Sequence, residues 1–204
     1  MTSQGPPSPE SPPPATGPLS AFRGRRIFVG VSGGIAAYKS AYLVSRLAQA
    51  GAEVTVAMTR SATRFVTPLT FQALSARPVY TSPWQHLESQ DPQHISLATR
   101  LDAAIVAPCS MDTLARLATG RTNDVVCLIL SAVDRLRTPV ILAPAMNSVM
   151  WAQPATQRNV ALLRQDGFRF VGPAEGWQAC RHVGPGRMSE PDDILAETAS
   201  ILAS

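Results

Sequence analysis

Chemistry first shows itself in this sequence at Ala143-Pro144-Ala145-Met146-Asn147. An apolar stretch with strand character ends there on an uncharged amide, at the kind of sheet edge where α/β proteins bind ligands. Few purely structural loops need Pro, Met and Asn in that order. Taken with His94, Cys180 and the Gly33-Gly34 turn, it suggests redox chemistry on a small acid rather than simple dinucleotide binding.

Each of these residues has a functional and a plain structural reading. Histidine titrates near neutrality as a residue type, which makes His94 the best general base in the chain, with His86 and His182 as competitors. A histidine at a helix start also serves as a cap or surface residue. Cys180 stands between Ala179 and Arg181-His182 in the glycine-rich stretch 176–188, which lacks periodicity. Basic neighbours can lower a thiol pKa and make it a proton donor or acceptor, and the alternative is an inert surface thiol. Cys109 and Cys127 lie in apolar runs and read as small buried side chains.

Gly30-Val31-Ser32-Gly33-Gly34-Ile35-Ala36-Ala37 joins a strand to a helix. Glycines there let the backbone approach a phosphate at the helix N-terminus. The spacing is not GxGxxG, and Met58-Thr59-Arg60-Ser61 stands where a ribose would need an acid, so a mononucleotide phosphate is favoured over NAD. Ser110 and Thr113, in Pro108-Cys109-Ser110-Met111-Asp112-Thr113, either donate to the same ligand or cap a helix.

Alternating elements must position these residues. Strands are expected at 27–31, 54–58, 103–107, 139–143 and 168–171. Helices are expected at 35–50, stopped by Gly51, and from Pro68 to Leu74 behind Thr67, with others at 113–119, 125–133, 155–165 and 191–202. This pattern predicts α/β architecture, a doubly wound, mostly parallel sheet with helices on both faces. The 204 residues, 45% of them hydrophobic, suffice for one substantial core and hence a single domain at 25–204. Residues 1–24, rich in Pro, Ser and Gly, are expected to form a disordered tail. A net charge of +4, spread over scattered arginines, makes nucleic acid a poor partner. Three cysteines without CxxC or metal-ligand spacing point to a reducing, cytoplasmic compartment and to no metal site. No apolar run suits a membrane span.

The ordered motifs resemble the homo-oligomeric flavin-containing cysteine decarboxylases from about Arg26 to Ile201. They include Gly30 to Ser40, Phe65-Val66-Thr67-Pro68-Leu69-Thr70-Phe71-Gln72, His94-Ile95, Pro144 to Asn147, and Ala179-Cys180 with Gly184-Pro185-Gly186-Arg187-Met188. Within that Rossmann-like flavoprotein family they are most similar to the branch acting on 4'-phosphopantothenoylcysteine, the decarboxylase half of the bacterial bifunctional coenzyme A enzyme. The sequence ends after its terminal helix, so no fused ligase domain is expected.

The resemblance implies FMN as cofactor and an oxidative decarboxylation through a thioaldehyde and an enethiolate, then re-reduction to 4'-phosphopantetheine. Residue by residue, it implies His94 as base, Asn147 with Met146 at the substrate carboxylate, and Cys180 as the final proton donor. It implies Gly33, Gly34, Ile35, Thr59, Ser61, Ser110, Thr113 and Ala145 around FMN. An amide holds a carboxylate without adding charge that opposes its loss. The family's site lies between subunits of a trimer, which can assemble further, so His94 is expected to serve a neighbouring subunit's flavin. Where the family usually has Gly and an acid after the cysteine, this chain has Arg181-His182. Rival readings are a lantibiotic-type peptidyl-cysteine decarboxylase, which lacks the late cysteine, a flavin prenyltransferase, which lacks Pro-Ala-Met-Asn, and a non-enzymatic regulatory flavoprotein. A plain nucleotide-binding module leaves Asn147 and Cys180 unexplained.

Overall fold

The computed structural model describes residues 17–84, 93–179 and 181–204. A 3-10 helix, Gly17–Phe22, is followed by β1 (Arg26–Val31), α1 (Ala37–Gln49), β2 (Glu53–Met58), α2 (Pro68–Ser75) and β3 (Val79–Tyr80). Next come α3 (Gln93–Ala98), β4 (Ala103–Cys109), α4 (Met111–Ala118), α5 (Val125–Ser131), β5 (Val140–Pro144) and α6 (Ser148–Ala152). The chain closes with α7 (Pro154–Gln165), β6 (Arg169–Phe170), β7 (Ala174–Trp177), β8 (Val183–Arg187) and α8 (Pro191–Ala203).

Six strands form a parallel sheet in the order β3-β2-β1-β4-β5-β6. Successive side chains of a strand point to opposite faces, and here both faces are dry. Ile27, Val29 and Val31 enter one core with Leu43, Val44 and Leu47 of α1 and Ile194 and Leu195 of α8. Phe28 enters the other, with Leu114 of α4, Val126 and Ile129 of α5 and Leu163 of α7. Each such side chain, fully buried, contributes about 1.5–3 kcal/mol, which is why the strands read as unbroken apolar runs. The doubly wound architecture expected from the sequence is present.

Two expectations are corrected. Residues 17–22 were assigned to the disordered tail, yet Phe22 is fully buried in the first core, with Leu19 and Ala21 packed beside it. The proline-rich composition of the segment masked these apolar residues at its end, so the packed domain begins no later than Leu19. Residues 1–16 lie outside the described residues. The stretch 176–188, expected to be an irregular loop, contains part of an antiparallel β7–β8 pair, with Gly176 opposite Gly184 and Trp177 opposite Val183. Glycines and Pro185 interrupt the alternation that normally announces a strand.

Candidate active site

Hydrogen bonds running from loop to loop tie the carboxyl ends of β2, β1, β4 and β5 into one edge. Thr59 N–H donates to Val31 O at 3.0 Å. The fully buried Ser32 links β1 to β4: its Oγ donates to Pro108 O at 2.7 Å and accepts from Ser110 N–H at 2.9 Å. Ala145 N–H donates to Cys109 O at 3.1 Å, carrying the edge on to β5. The strand order reverses between β1 and β4, the switch point where such sheets open a ligand crevice.

Close approach explains one glycine here and not its neighbour. A Cβ on Gly33 would lie 2.4 Å from Ser61 Cβ and 3.0 Å from the Ser61 carbonyl carbon. At Gly34 an added Cβ would meet no described atom within 4 Å, and the adjacent Ile35 is 60% exposed. The turn thus offers open backbone at Gly34 ahead of α1, whose Ala37 N–H and Lys39 N–H close back on Gly34 O and Ala36 O, both at 3.0 Å. Thr59 Oγ1 accepts from Ala62 N–H at 3.2 Å, while Ser61 is exposed. Ser110 caps α4, its Oγ accepting from Thr113 N–H at 3.3 Å with the Thr113 hydroxyl 3.1 Å away. Both cap and ligand readings of Ser110 remain compatible with that geometry. Thr113, expected beside the same ligand, is buried, and its hydroxyl touches Ser110.

Asn147 caps α6, its Oδ1 accepting from Val149 N–H at 2.8 Å. The half-buried Met146 packs against the second core. The β7–β8 pair holds both chain neighbours of Asn147. Met146 N–H donates to Gly186 O at 2.9 Å, and Ser148 N–H donates to Gln178 Oε1 at 3.2 Å. Gly186 has φ +133°, and a Cβ there would sit 2.3 Å from Met146 O, so glycine is required.

The structure brings Gly33, Gly34, Ile35, Thr59, Ser61, Ser110 and Ala145 to one sheet edge, with Asn147 continuing it. His94 is half-buried in the first turn of α3, which packs on α5. Among the described residues no hydrogen bond or ion pair joins it to Asn147 or to the glycine turn. His182 is exposed on the turn between β7 and β8, while His86 and Cys180 lie outside the described residues. Arg181, next to Cys180, has φ +64°, in the left-handed region that favours glycine. Sequence reasoning missed Ser32, Gln178 and Glu190. The first two are signalled only as polar residues inside otherwise apolar or glycine-rich runs.

Charge is managed at the rim. Glu190 Oε1 accepts from Lys39 Nζ at 2.7 Å and from Arg187 at 2.8 Å, joining α1, β8 and the start of α8. The Lys39 hydrogen bond holds its carboxyl below the usual range, against a smaller opposing effect of burial. Burial pushes the Cys109 thiol far up. Burial, then Asp124, do the same to Cys127, so neither is a nucleophile at neutral pH. Two concavities of about 540 and 630 Å³ lie at the amino ends of the strands, around Arg25 and Leu202. Neither is lined by a candidate residue. The candidate edge is an open shelf, bordered by the exposed Tyr38, Phe65 and Leu69.

Comparison with known proteins adds the following. The Flavoprotein family profile matches residues 18–203. The coenzyme A biosynthesis bifunctional protein CoaBC of Vibrio vulnificus is 46% identical over 178 residues, covering 87% of this chain and 44% of that protein. CoaBC of Bacillus subtilis is 46% identical over 171 residues, covering 84% and 41%. The chain therefore spans less than half the length of these curated relatives. Among solved structures, a cysteine-to-serine mutant of PPC decarboxylase complexed with pantothenoylaminoethenethiol matches with TM-score 0.81 and 30% identity, over 89% of this chain and 100% of that one. The FMN-dependent cysteine decarboxylase SpaF matches with TM-score 0.76 and 27% identity, over 90% and 99%. The FMN binding protein AtHal3 matches with TM-score 0.76 and 30% identity, over 88% and 96%.

Proposed function

This chain belongs to the Flavoprotein family, and on that premise we propose that it binds FMN and converts 4'-phosphopantothenoylcysteine to 4'-phosphopantetheine, a carboxy-lyase step of coenzyme A biosynthesis. The observation that carries the proposal is the shelf where the Ser32–Ile35 turn, Ser110 and Asn147 converge at the switch point. The similarity to CoaBC and to PPC decarboxylase supplies the substrate.

The residues present fit a flavin phosphate. The turn leaves open space at Gly34, where a Cβ would meet no described atom, while Ser61 fills that position at Gly33, and Thr59, Ser61 and Ser110 bring hydroxyls to the same edge. This donor set contains no carboxylate that would repel a phosphate. Ile35 and Ala145 add apolar surface. FMN, when bound, supplies reversible hydride acceptance.

The chain's own residues do the rest. Asn147 binds the substrate carboxylate. Its Oδ1 accepts from Val149 N–H, and an amide nitrogen is the atom through which such a side chain donates to an anion. Met146 lines the same subsite. His94 acts as the base, and Cys180 returns a proton to the enethiolate. The expected assembly is a homo-oligomer, a trimer or a multiple of trimers, in which His94 serves the neighbouring subunit's site. The exposed Tyr38, Phe65 and Leu69 around the shelf support the same arrangement. A cytoplasmic location suits this chemistry. Among the described residues no helix is long and apolar enough to cross a membrane.

The test is direct incubation of the yellow, FMN-loaded protein with 4'-phosphopantothenoylcysteine, following carbon dioxide and product. Asn147→Asp and His94→Asn should each abolish carbon dioxide release. Cys180→Ser should release carbon dioxide and stop at the enethiol. A colourless protein that takes up no FMN would sink the proposal.

A further inference from the structure

We infer that Gln178 is a positioning residue that orients Asn147 by clamping the backbone beside it. The inference rests on the carboxylate-binding role proposed for Asn147. Gln178 is 7% exposed, and both ends of its amide are engaged. Oε1 accepts from Ser148 N–H at 3.2 Å, while Nε2 donates to Gly184 O at 3.2 Å and to Pro185 O at 3.0 Å. Its backbone closes the β7–β8 turn: Gln178 N–H donates to His182 O and Arg181 N–H donates to Gln178 O, both at 2.9 Å. One side chain therefore fixes three things together: the turn, β8, and the residue that follows Asn147.

The grip on Asn147 is two-sided. Gly186 O holds Met146 N–H on one flank, and Gln178 Oε1 holds Ser148 N–H on the other. The two holds are themselves joined, because Gln178 Nε2 donates to the carbonyls of Gly184 and Pro185, the two residues that precede Gly186 in β8. The bonds at Met146 N–H and Ser148 N–H fix the backbone from which the Asn147 side chain projects, and the Val149 N–H bond to Oδ1 then sets the amide relative to that backbone, so a shift of β7–β8 displaces the amide with it. Only an amide suits the middle of this clamp. A carboxylate at 178 would set an acceptor against the carbonyls of Gly184 and Pro185, and an aliphatic side chain would leave all three partners without a bond.

The experiment uses FMN-loaded Gln178→Leu, Gln178→Glu and Asn147→Ala proteins, and the Gln178→Leu Asn147→Ala double variant. FMN content and melting temperature serve as controls on folding. Two unreactive probes are titrated against flavin absorbance. The first is the serine analogue of the substrate, which keeps the carboxylate but cannot form a thioaldehyde. The second is its counterpart lacking the carboxylate.

Wild type should prefer the first by about tenfold or more, the value of one hydrogen bond to a charged group. Gln178→Leu and Gln178→Glu should lose that preference while binding the carboxylate-free probe with unchanged affinity. The double variant should lose no more preference than Asn147→Ala alone, because the two residues act as one unit. A general structural defect would instead weaken both probes alike, or act additively with Asn147→Ala, and either result overturns the inference. Amide exchange at Ser148 decides the clamp independently of any ligand. Protection should fall by about tenfold in Gln178→Leu, and unchanged protection also overturns the inference. If wild type binds neither probe, the proposed substrate falls while the exchange result still decides the clamp.

Discussion

Gly33→Ala is the most demanding perturbation of the shelf, and its effect can be worked from distances. The new Cβ would sit 2.4 Å from Ser61 Cβ, whereas ordinary contact begins at 3.4 Å, so the two loops must part by about 1 Å. The obstructing atoms are a Cβ and a carbonyl carbon, 2.4 and 3.0 Å away, rather than the end of a flexible side chain. Overpacking of this kind costs about 1–3 kcal/mol. For a domain of this size that lowers the melting temperature of the apo-protein by about 2–4 °C per kcal/mol.

Displacement by about 1 Å also carries a 2.9 Å donor out of hydrogen-bonding range. Losing one hydrogen bond to a phosphate, at about 1.5–3 kcal/mol, weakens FMN by about 10- to 150-fold. Gly34→Ala is the built-in control. Its Cβ meets no described atom and its φ is not in the left-handed region, so reduced unfolded-state entropy should stabilise the apo-protein by about 0.4–1 kcal/mol. The assay is thermal unfolding of both apo-variants, followed by FMN titration monitored through flavin fluorescence quenching. If Gly33→Ala melts within about 1 °C of wild type, or if the two variants are indistinguishable, close approach to Ser61 is not why glycine stands at 33.

Other outcomes follow from the same structure. Ser32→Ala takes the hydroxyl from Ser110 N–H, while Pro108 O keeps the Ser32 backbone N–H at 3.2 Å, and the loss should cost about 1–3 kcal/mol by denaturant titration. Asp102 is raised by burial, but the Arg26 N–H bond and the Arg25 guanidinium outweigh this and hold its pKa below the usual value. Its stabilisation is therefore present above about pH 4 and lost as pH falls through the lower folded value. Asp102→Asn should accordingly flatten the acid limb of a melting-temperature profile. The buried Cys109 and Cys127 thiols have raised pKa values, so their contribution is complete below about pH 8.5 and lost above it. Both thiols should stay unmodified by a thiol reagent at pH 8 until the protein is denatured, as mass mapping would reveal. Arg181→Gly removes a left-handed penalty of about 1–2 kcal/mol and adds about 0.5–1 kcal/mol of unfolded-state entropy, for a net gain near 0.5 kcal/mol in denaturant titration.

What was legible in the sequence followed one rule: local signals survive when burial alone decides them. The strands β1, β2, β4 and β5 are buried on both faces, and their apolar runs located them to within a residue or two. Helix α2 was marked by Thr67-Pro68, and α7 was expected at 155–165 and runs from Pro154 to Gln165. The glycine turn, Ser110 and Asn147 were legible because loops at the carboxyl edge of a parallel sheet share one place. Elements held by pairwise bonds rather than by burial were not. The two-residue β3 and the pair β7–β8 depend on partners distant in sequence. Gln178 makes side-chain hydrogen bonds to described residues 6, 7 and 30 positions away, and no local pattern encodes bonds of that span. Phe22 was lost for a related reason, since a single aromatic at the end of a proline-rich run does not change the composition of a window.

The same division separates the parts of the site by what they can tolerate. The proposed phosphate end of the shelf is built from backbone held by the cores, through Ser32 and the close contact at Gly33, so its geometry is set by the sheet itself. The carboxylate end hangs on β7–β8, a two-stranded ribbon outside the main sheet whose attachment to α6 runs through Gly186 and Gln178. A two-stranded ribbon is marginal without packing, so substitutions in it alter the site without threatening the fold. Arg181 stands in that ribbon, in a conformation that costs an arginine more than a glycine. Cofactor binding should therefore withstand change in residues 174–187 better than discrimination among cysteine-terminated acids does. Differences in substrate between proteins sharing this fold are to be sought in that ribbon rather than in the glycine turn.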